Sequence, residues 1–200
     1  MPPKPAAEIR ATVNPFTARD VAATLRARGW LRYEDEAEAV ASGRGLYLFT
    51  LNPQGKPVVS WMGEAAAMLG PRAETREELV RLLALIFEYD ARRVLASREC
   101  QEVLAREGTR QVLRALATEI LKGGPVDSNR LKEIVASIKA TLPYSSREIF
   151  HPLRVAITGR VGGGALDRVV LLLDRAAHTE GLAPVKSVRT RILEFCAALD

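Results

Sequence analysis

Thr75-Arg76-Glu77-Glu78-Leu79-Val80-Arg81-Leu82-Leu83-Ala84-Leu85-Ile86-Phe87 is the stretch whose periodicity decides the fold class. A Thr followed three residues later by Glu is a capping box, each side chain able to satisfy a backbone N–H that a helix start leaves open. Behind it Leu79, Leu82, Leu83, Ile86 and Phe87 recur at three- and four-residue intervals. This spacing predicts a helix with a broad apolar face. Working outward, the same grammar repeats. Ser60 opens a short helix through Leu69 that Gly70-Pro71 stops, and Thr17-Ala-Arg-Asp20 opens another, carrying Val21 and Leu25, that Gly29 ends. Downstream, residues 91–107 read as one or two short helices and Gln111 to Leu121 as another, closed by Gly123-Gly124-Pro125. Asp127-Ser128 caps a segment running to Leu142-Pro143. Helices over about Arg147 to Ile157, with Pro152 kinking it or opening its second part, and Ala165 to Ala176 follow, and Ser187 caps a last one. Only Gly45 to Ser60 departs from this pattern: Leu46 to Leu51, a turn at Asn52-Pro53-Gln54-Gly55, then Val58-Val59 predict a small β-hairpin. The expected fold is mainly α with a hairpin appendage. Residues 1–16, Pro-rich and polar, form a flexible tail in this reading; 17–72 hold the first helix and the hairpin, and 73–200 are all-helical.

The composition is that of an ordinary globular chain: 200 residues, 48% hydrophobic and 26% charged, enough for one large domain or two small ones. The apolar runs Leu82 to Phe87 and Val169 to Leu173 fall far short of the ~20 residues of a membrane span, so no membrane partner is expected. No secretory signal opens the chain and two cysteines make no disulfide framework, which points to the cytoplasm. The net charge is +5, and most of the excess lies in residues 101–200. Between Arg147 and Arg191 eight bases face four acids, which makes that stretch the expected polyanion surface. Arg dominates the basic residues, and its planar donor fork suits phosphates and base edges.

Several chemistries find no support. His151, His178, Cys100 and Cys196 are too scattered for a metal site, and no cofactor is expected. No Gly-x-Ser-x-Gly elbow or Cys–His signature marks a nucleophile. The run Thr158-Gly-Arg-Val-Gly-Gly-Gly164 lacks the Lys-Ser/Thr of a nucleotide loop, yet its N–H groups and Arg160 could touch a nucleic-acid phosphate.

Phe150-His151-Pro152-Leu153-Arg154-Val155-Ala156-Ile157-Thr158-Gly159 is where the sequence becomes specific. It resembles the Phe-x-Pro-Leu-Arg-Val-Ala-Leu-Thr-Gly signature in the C-terminal anticodon-binding region of bacterial glutamyl-tRNA synthetases, with Ile157 as a conservative change. The flanks Leu79 to Asp90 and Gly164 to Leu173 are similar to that region too, so the likeness covers roughly residues 75–175. The resemblance implies an all-helical cage over 73–200 that grips an anticodon loop. It further implies that Arg154 reaches anticodon bases and that Gly163, Gly164 and Leu166 contact them. The family usually has a Thr-Pro-like pair where Gly163-Gly164 stand, which loosens the expected base selectivity. Adding the nearby bases gives an RNA-binding set of Arg147, Arg154, Arg160, Gly163, Gly164, Leu166 and Arg168. Arg154 has an alternative use, as the partner of a carboxylate or helix end within the protein, and Leu166 fits the core as readily as a base. Neither the H-x-G-H nor the K-x-S-K stretch of the catalytic domain occurs, so the chain is at most an accessory part of a glutamate–tRNA ligase. The implied partner is tRNA, in particular tRNA-Glu, with a separate catalytic chain as a possible second and no DNA. The competing reading is a protein–protein module built on a cage that no longer binds RNA.

Overall fold

The structure, a computed structural model, describes residues 14–31, 49–51, 57–124, 126–162, 166–179 and 181–199. Among them are α1 (Ala18–Ala27), β1 (Phe49–Leu51), β2 (Pro57–Val59), α2 (Trp61–Leu69), a 3-10 turn (Gly70–Arg72) and α3 (Arg76–Phe87). There follow α4 (Ala91–Ala96), α5 (Arg98–Leu104), α6 (Thr109–Leu121), α7 (Ser128–Thr141), α8 (Ser146–Thr158), α9 (Leu166–His178) and α10 (Val188–Leu199).

The fold is mainly helical. Of the hairpin expected over 45–60, the described residues carry two antiparallel three-residue strands, with Thr50 opposite Val58. Two such segments make no sheet layer, because a lone pair of short strands buries too little to stand as one. The expected turn at residues 52–55 lies outside the described residues, as does the tail as far as residue 13. The last residues of that tail are held: Asn14 Nδ2 donates to the Ala66 carbonyl at 2.9 Å, and Phe16 packs against the core.

Side-chain caps explain where the helices begin. Thr17 and Asp20 form a full capping box on α1, and the bonds from Thr17 hold the Asp20 carboxyl below its usual range. At α3 the box is shifted: Thr75 Oγ1 accepts from Glu78 N–H, but the Glu78 carboxylate accepts from Glu74 N–H at 2.8 Å, one residue early. Asp127 caps α7 by accepting from Arg130 N–H at 2.8 Å. A second complete box, Ser145 with Glu148, starts α8. Residues 91–107 resolve into α4 and α5 because Ser97 both ends one and caps the other. α8 runs unbroken through Pro152, giving up one backbone bond in mid-helix.

α6 starts without a side-chain cap, at Gly108 with φ +77°. A Cβ there would lie 2.3 Å from Tyr144 Cζ, whose hydroxyl donates to Gln111 Oε1 at 2.6 Å. Gly108→Ala is therefore expected to destabilise the chain by about 1–2 kcal/mol from the left-handed backbone alone, and to displace Tyr144 as well. Urea unfolding measures the sum. Repeating it in a Tyr144→Ala background isolates the backbone part; equal stability of Gly108→Ala and the parent would refute the account.

α8 is the buried axis of the bundle: Ile149, Leu153, Val155, Ala156 and Ile157 are all buried. α6, α7, α10, α4 and α5 pack around it. Residues on either side of position 72 share one core. Trp30, just after α1, stacks on Phe87 of α3 at 4.9 Å, and Trp61 of α2 meets the same ring edge-on. The Trp61 indole N–H donates to the Leu172 carbonyl in α9 at 2.9 Å, and Leu31 bridges to Leu182. Burying these aromatic faces against one another joins the N-terminal segment to the helical body.

Arg191 of α10 is completely buried. Its guanidinium donates to the carbonyls of Lys186 (3.0 Å), Leu85 (2.8 Å), Ile157 (3.0 Å) and Ile86. Leu85 and Ile86 lie in the last turn of α3 and Ile157 in the last turn of α8, where carbonyls lack helical partners and the dipole is negative. Tyr89 lies beneath the guanidinium at 4.6 Å, and its hydroxyl donates to the Ala156 carbonyl at 2.6 Å. Burial pulls the Arg191 pKa down to about 10, so the group stays charged at neutral pH.

Candidate nucleic-acid interface

α7 and α8 lie side by side, and the start of α9 closes one end of the space between them. On α7, Lys132, Val135, Ala136 and Lys139 fall at three- and four-residue intervals and so share one face. On α8, Phe150 and Arg154 are one turn apart and face them. Together with Leu131, Leu166 and Asp167 these residues line a groove of about 450 Å³, within the range of small-ligand clefts. Its walls are apolar, formed by the buried Leu131, Val135 and Leu166. Lys139 Nζ sits 5.6 Å from the Phe150 ring. Asp167, exposed, is the one acid among the lining residues.

Arg154 is half-buried and, among the described residues, its guanidinium has neither a hydrogen-bond nor an ion-pair partner. Among the described residues, then, no carboxylate or helix end takes it. Burial, with the nearby charge of Arg72 added, lowers its pKa. Leu153 and Val155 on either side point into the core, as their apolar character predicts.

The other predicted residues divide. Leu166 is buried, as the core use expects, and its side chain forms part of the groove wall. Arg147 is exposed on the first turn of α8, and Arg168 on the first turn of α9. Arg160, beyond the α8 terminus at Gly159, lines a different cleft of about 230 Å³ with Arg81, Leu85, Glu88 and Val94. Gly163 and Gly164 lie outside the described residues.

The basic face expected between Arg147 and Arg191 needs correction. Arg191 is inside the protein, Arg175 pairs with Glu64, Lys186 with Glu194 at 2.6 Å, and Arg189 donates to the Ile120 carbonyl. Four of the eight bases have partners within the protein, which a charge count along the chain does not register. The cations beside Arg154 come from elsewhere: Lys132 and Lys139 on α7, and Arg72 after α2. The sequence carried a signal for the lysines, since a seven-residue separation across Val135 puts both on one helical face.

Among the described residues no cluster of His, Cys, Asp or Glu could hold a metal ion, and no helix is long and apolar enough to cross a membrane.

Residues 46–180, about two thirds of the chain, match the family model described as an anticodon binding domain. A relative from Bacillus licheniformis named glutamate--tRNA ligase is 30% identical over 118 residues, covering 58% of this chain and 23% of its own length. Proteins of the same name from Bacillus cytotoxicus (27% over 116 residues; 58% of this chain, 23% of the relative) and Geobacillus thermodenitrificans (25% over 122 residues; 61% and 24%) are similar. The chain thus spans about a quarter of the length of these curated relatives. No solved structure gives a significant match.

Proposed function

The chain belongs to the anticodon-binding domain family, and from that premise we propose that it binds tRNA through the α7–α8 groove, taking an unpaired anticodon base, with tRNA-Glu as the preferred species. One observation carries the reading: a half-buried Arg154, without a partner among the described residues, stands in an apolar groove flanked by Lys132 and Lys139. Unpaired RNA bases are bound by splaying them against apolar or aromatic side chains while Arg supplies forked donors, and phosphates outside take the remaining cations. Phe150, Leu131 and Leu166 offer the apolar surface, Arg154 the donors, and Arg147 and Arg168 phosphate contacts in this reading. Arg160 would touch the loop from beyond the end of α8, and Gly163 and Gly164 remain in the proposed set on the resemblance alone. The relatives named glutamate--tRNA ligase support tRNA-Glu as the species. These 200 residues hold neither an H-x-G-H nor a K-x-S-K stretch, so in this reading they bind RNA rather than activate glutamate, either free-standing or in trans with a catalytic partner.

The test is a titration of the purified protein against tRNA-Glu and against total tRNA from low to high salt. Binding should weaken with salt, with a log–log slope near −0.7 per phosphate neutralised on an unpaired strand, and tRNA-Glu should bind more tightly than the mixture. Absence of binding at low salt would overturn the reading and leave the cage as a protein–protein module.

A further inference from the structure

One turn of α8 outside the groove, Arg106 Nη1 lies 2.8 Å from His151 Nδ1. A guanidinium is always protonated and only donates, so Nδ1 is the acceptor and the ring proton sits on Nε2. Burial, then the charges of Arg106, Arg147 and Arg154, hold the His151 pKa below its ordinary value. The imidazole is therefore neutral at pH 7 and presents an N–H donor. Arg147 and Arg154 flank it along one face of α8, at i−4 and i+3, and Arg106 arrives from the turn before α6. Among the described residues neither Arg106 nor Arg147 forms an ion pair. The neighbouring Glu148 is committed to its capping box, accepting from Ser145 N–H at 2.7 Å.

Like charges gathered without a counter-ion repel, and an anion reverses the sign of that interaction. We propose that Arg106, Arg147 and the Nε2–H of His151 form a phosphate-binding site that takes a backbone phosphate of the RNA, next to the groove that takes its base. His151 fixes one edge of the Arg106 guanidinium and leaves its other donors free for a forked contact with phosphate oxygens. That the phosphate belongs to RNA rests on the function proposed above; that the site takes an oxyanion rests on these side chains alone.

Because His151 and His178 are the chain's two histidines, imidazole resonances in NMR report the site with an internal control. Titration with inorganic phosphate should move the His151 resonances saturably, raise its pKa and leave His178 in place. The exposed substitutions Arg106→Gln and Arg147→Gln should abolish that response while the protein stays folded. With tRNA, each should make the log–log salt slope shallower by about 0.7 and weaken binding alike for all tRNA species. If His151 ignores phosphate, or if tRNA binds with unchanged slopes in both variants, the phosphate site is wrong and the groove reading stands. If phosphate moves His151 but tRNA does not bind at low salt, the site stands and the RNA reading falls.

Discussion

Arg191→Met is expected to lower the stability of the chain by about 3–5 kcal/mol. Methionine fills much of the space but donates nothing, so the carbonyls of Leu85, Ile86, Ile157 and Lys186 lose their donor inside the protein. A buried polar group left unpaired costs about 1–3 kcal/mol. Removing the charge returns part of this sum, because holding a guanidinium away from water is itself unfavourable. Against a total of about 5–15 kcal/mol for a typical domain the net loss is large. Arg191→Lys should fall between the two, since an ammonium keeps the charge but has three donors and no planar fork. Urea unfolding followed by circular dichroism measures both. A methionine variant as stable as the parent would show that the carbonyls find other donors and that the guanidinium does not tie α3 to α8.

Arg154→Ala should have a comparable effect on a different quantity. Its guanidinium has no partner within the described protein, so truncation removes donors that the fold does not use and stability should change little. Affinity for tRNA-Glu should drop by about fivefold to 150-fold, the roughly 1–3 kcal/mol of a forked arginine–base contact. If Arg154 meets only a phosphate, the loss should instead be the same for every tRNA and should vanish at high salt. Fluorescence anisotropy with tRNA-Glu and a non-cognate tRNA separates the two cases. Unchanged affinity in a folded variant would remove Arg154 from the interface.

What the sequence made legible was local. Thr17, Ser60, Asp127 and Ser187 could be read as helix starts because a cap acts within four residues, and each stands at a helix start in the structure. The Ser145–Glu148 box has the same signature in Ser145-Ser-Arg-Glu148, and Pro152, which by local rules kinks a helix or opens its second part, lies inside the continuous α8. Arg191 was misplaced for a different reason. Arginine defaults to the surface, yet Val188, Arg191, Ile192 and Phe195 share one apolar stripe, and an arginine on such a stripe is marked for burial. The groove could not be read from spacing, because Lys139 and Arg154 line it from two helices whose packing angle no local rule supplies. The motif around Arg154 was legible only as a resemblance, and the apolar wall facing it came from α7 and α9.

The buried anchors have a consequence for anyone transplanting this helical unit. The segment that matches the family model stops at 46 on one side and 180 on the other, but Trp30 lies before it and Arg191 after it. A graft cut at those limits would reach its new host with the Phe87 face that Trp30 covers left bare and the ends of α3 and α8 stripped of the donor that joins them. To survive transfer, the cassette has to travel with both of its flanks.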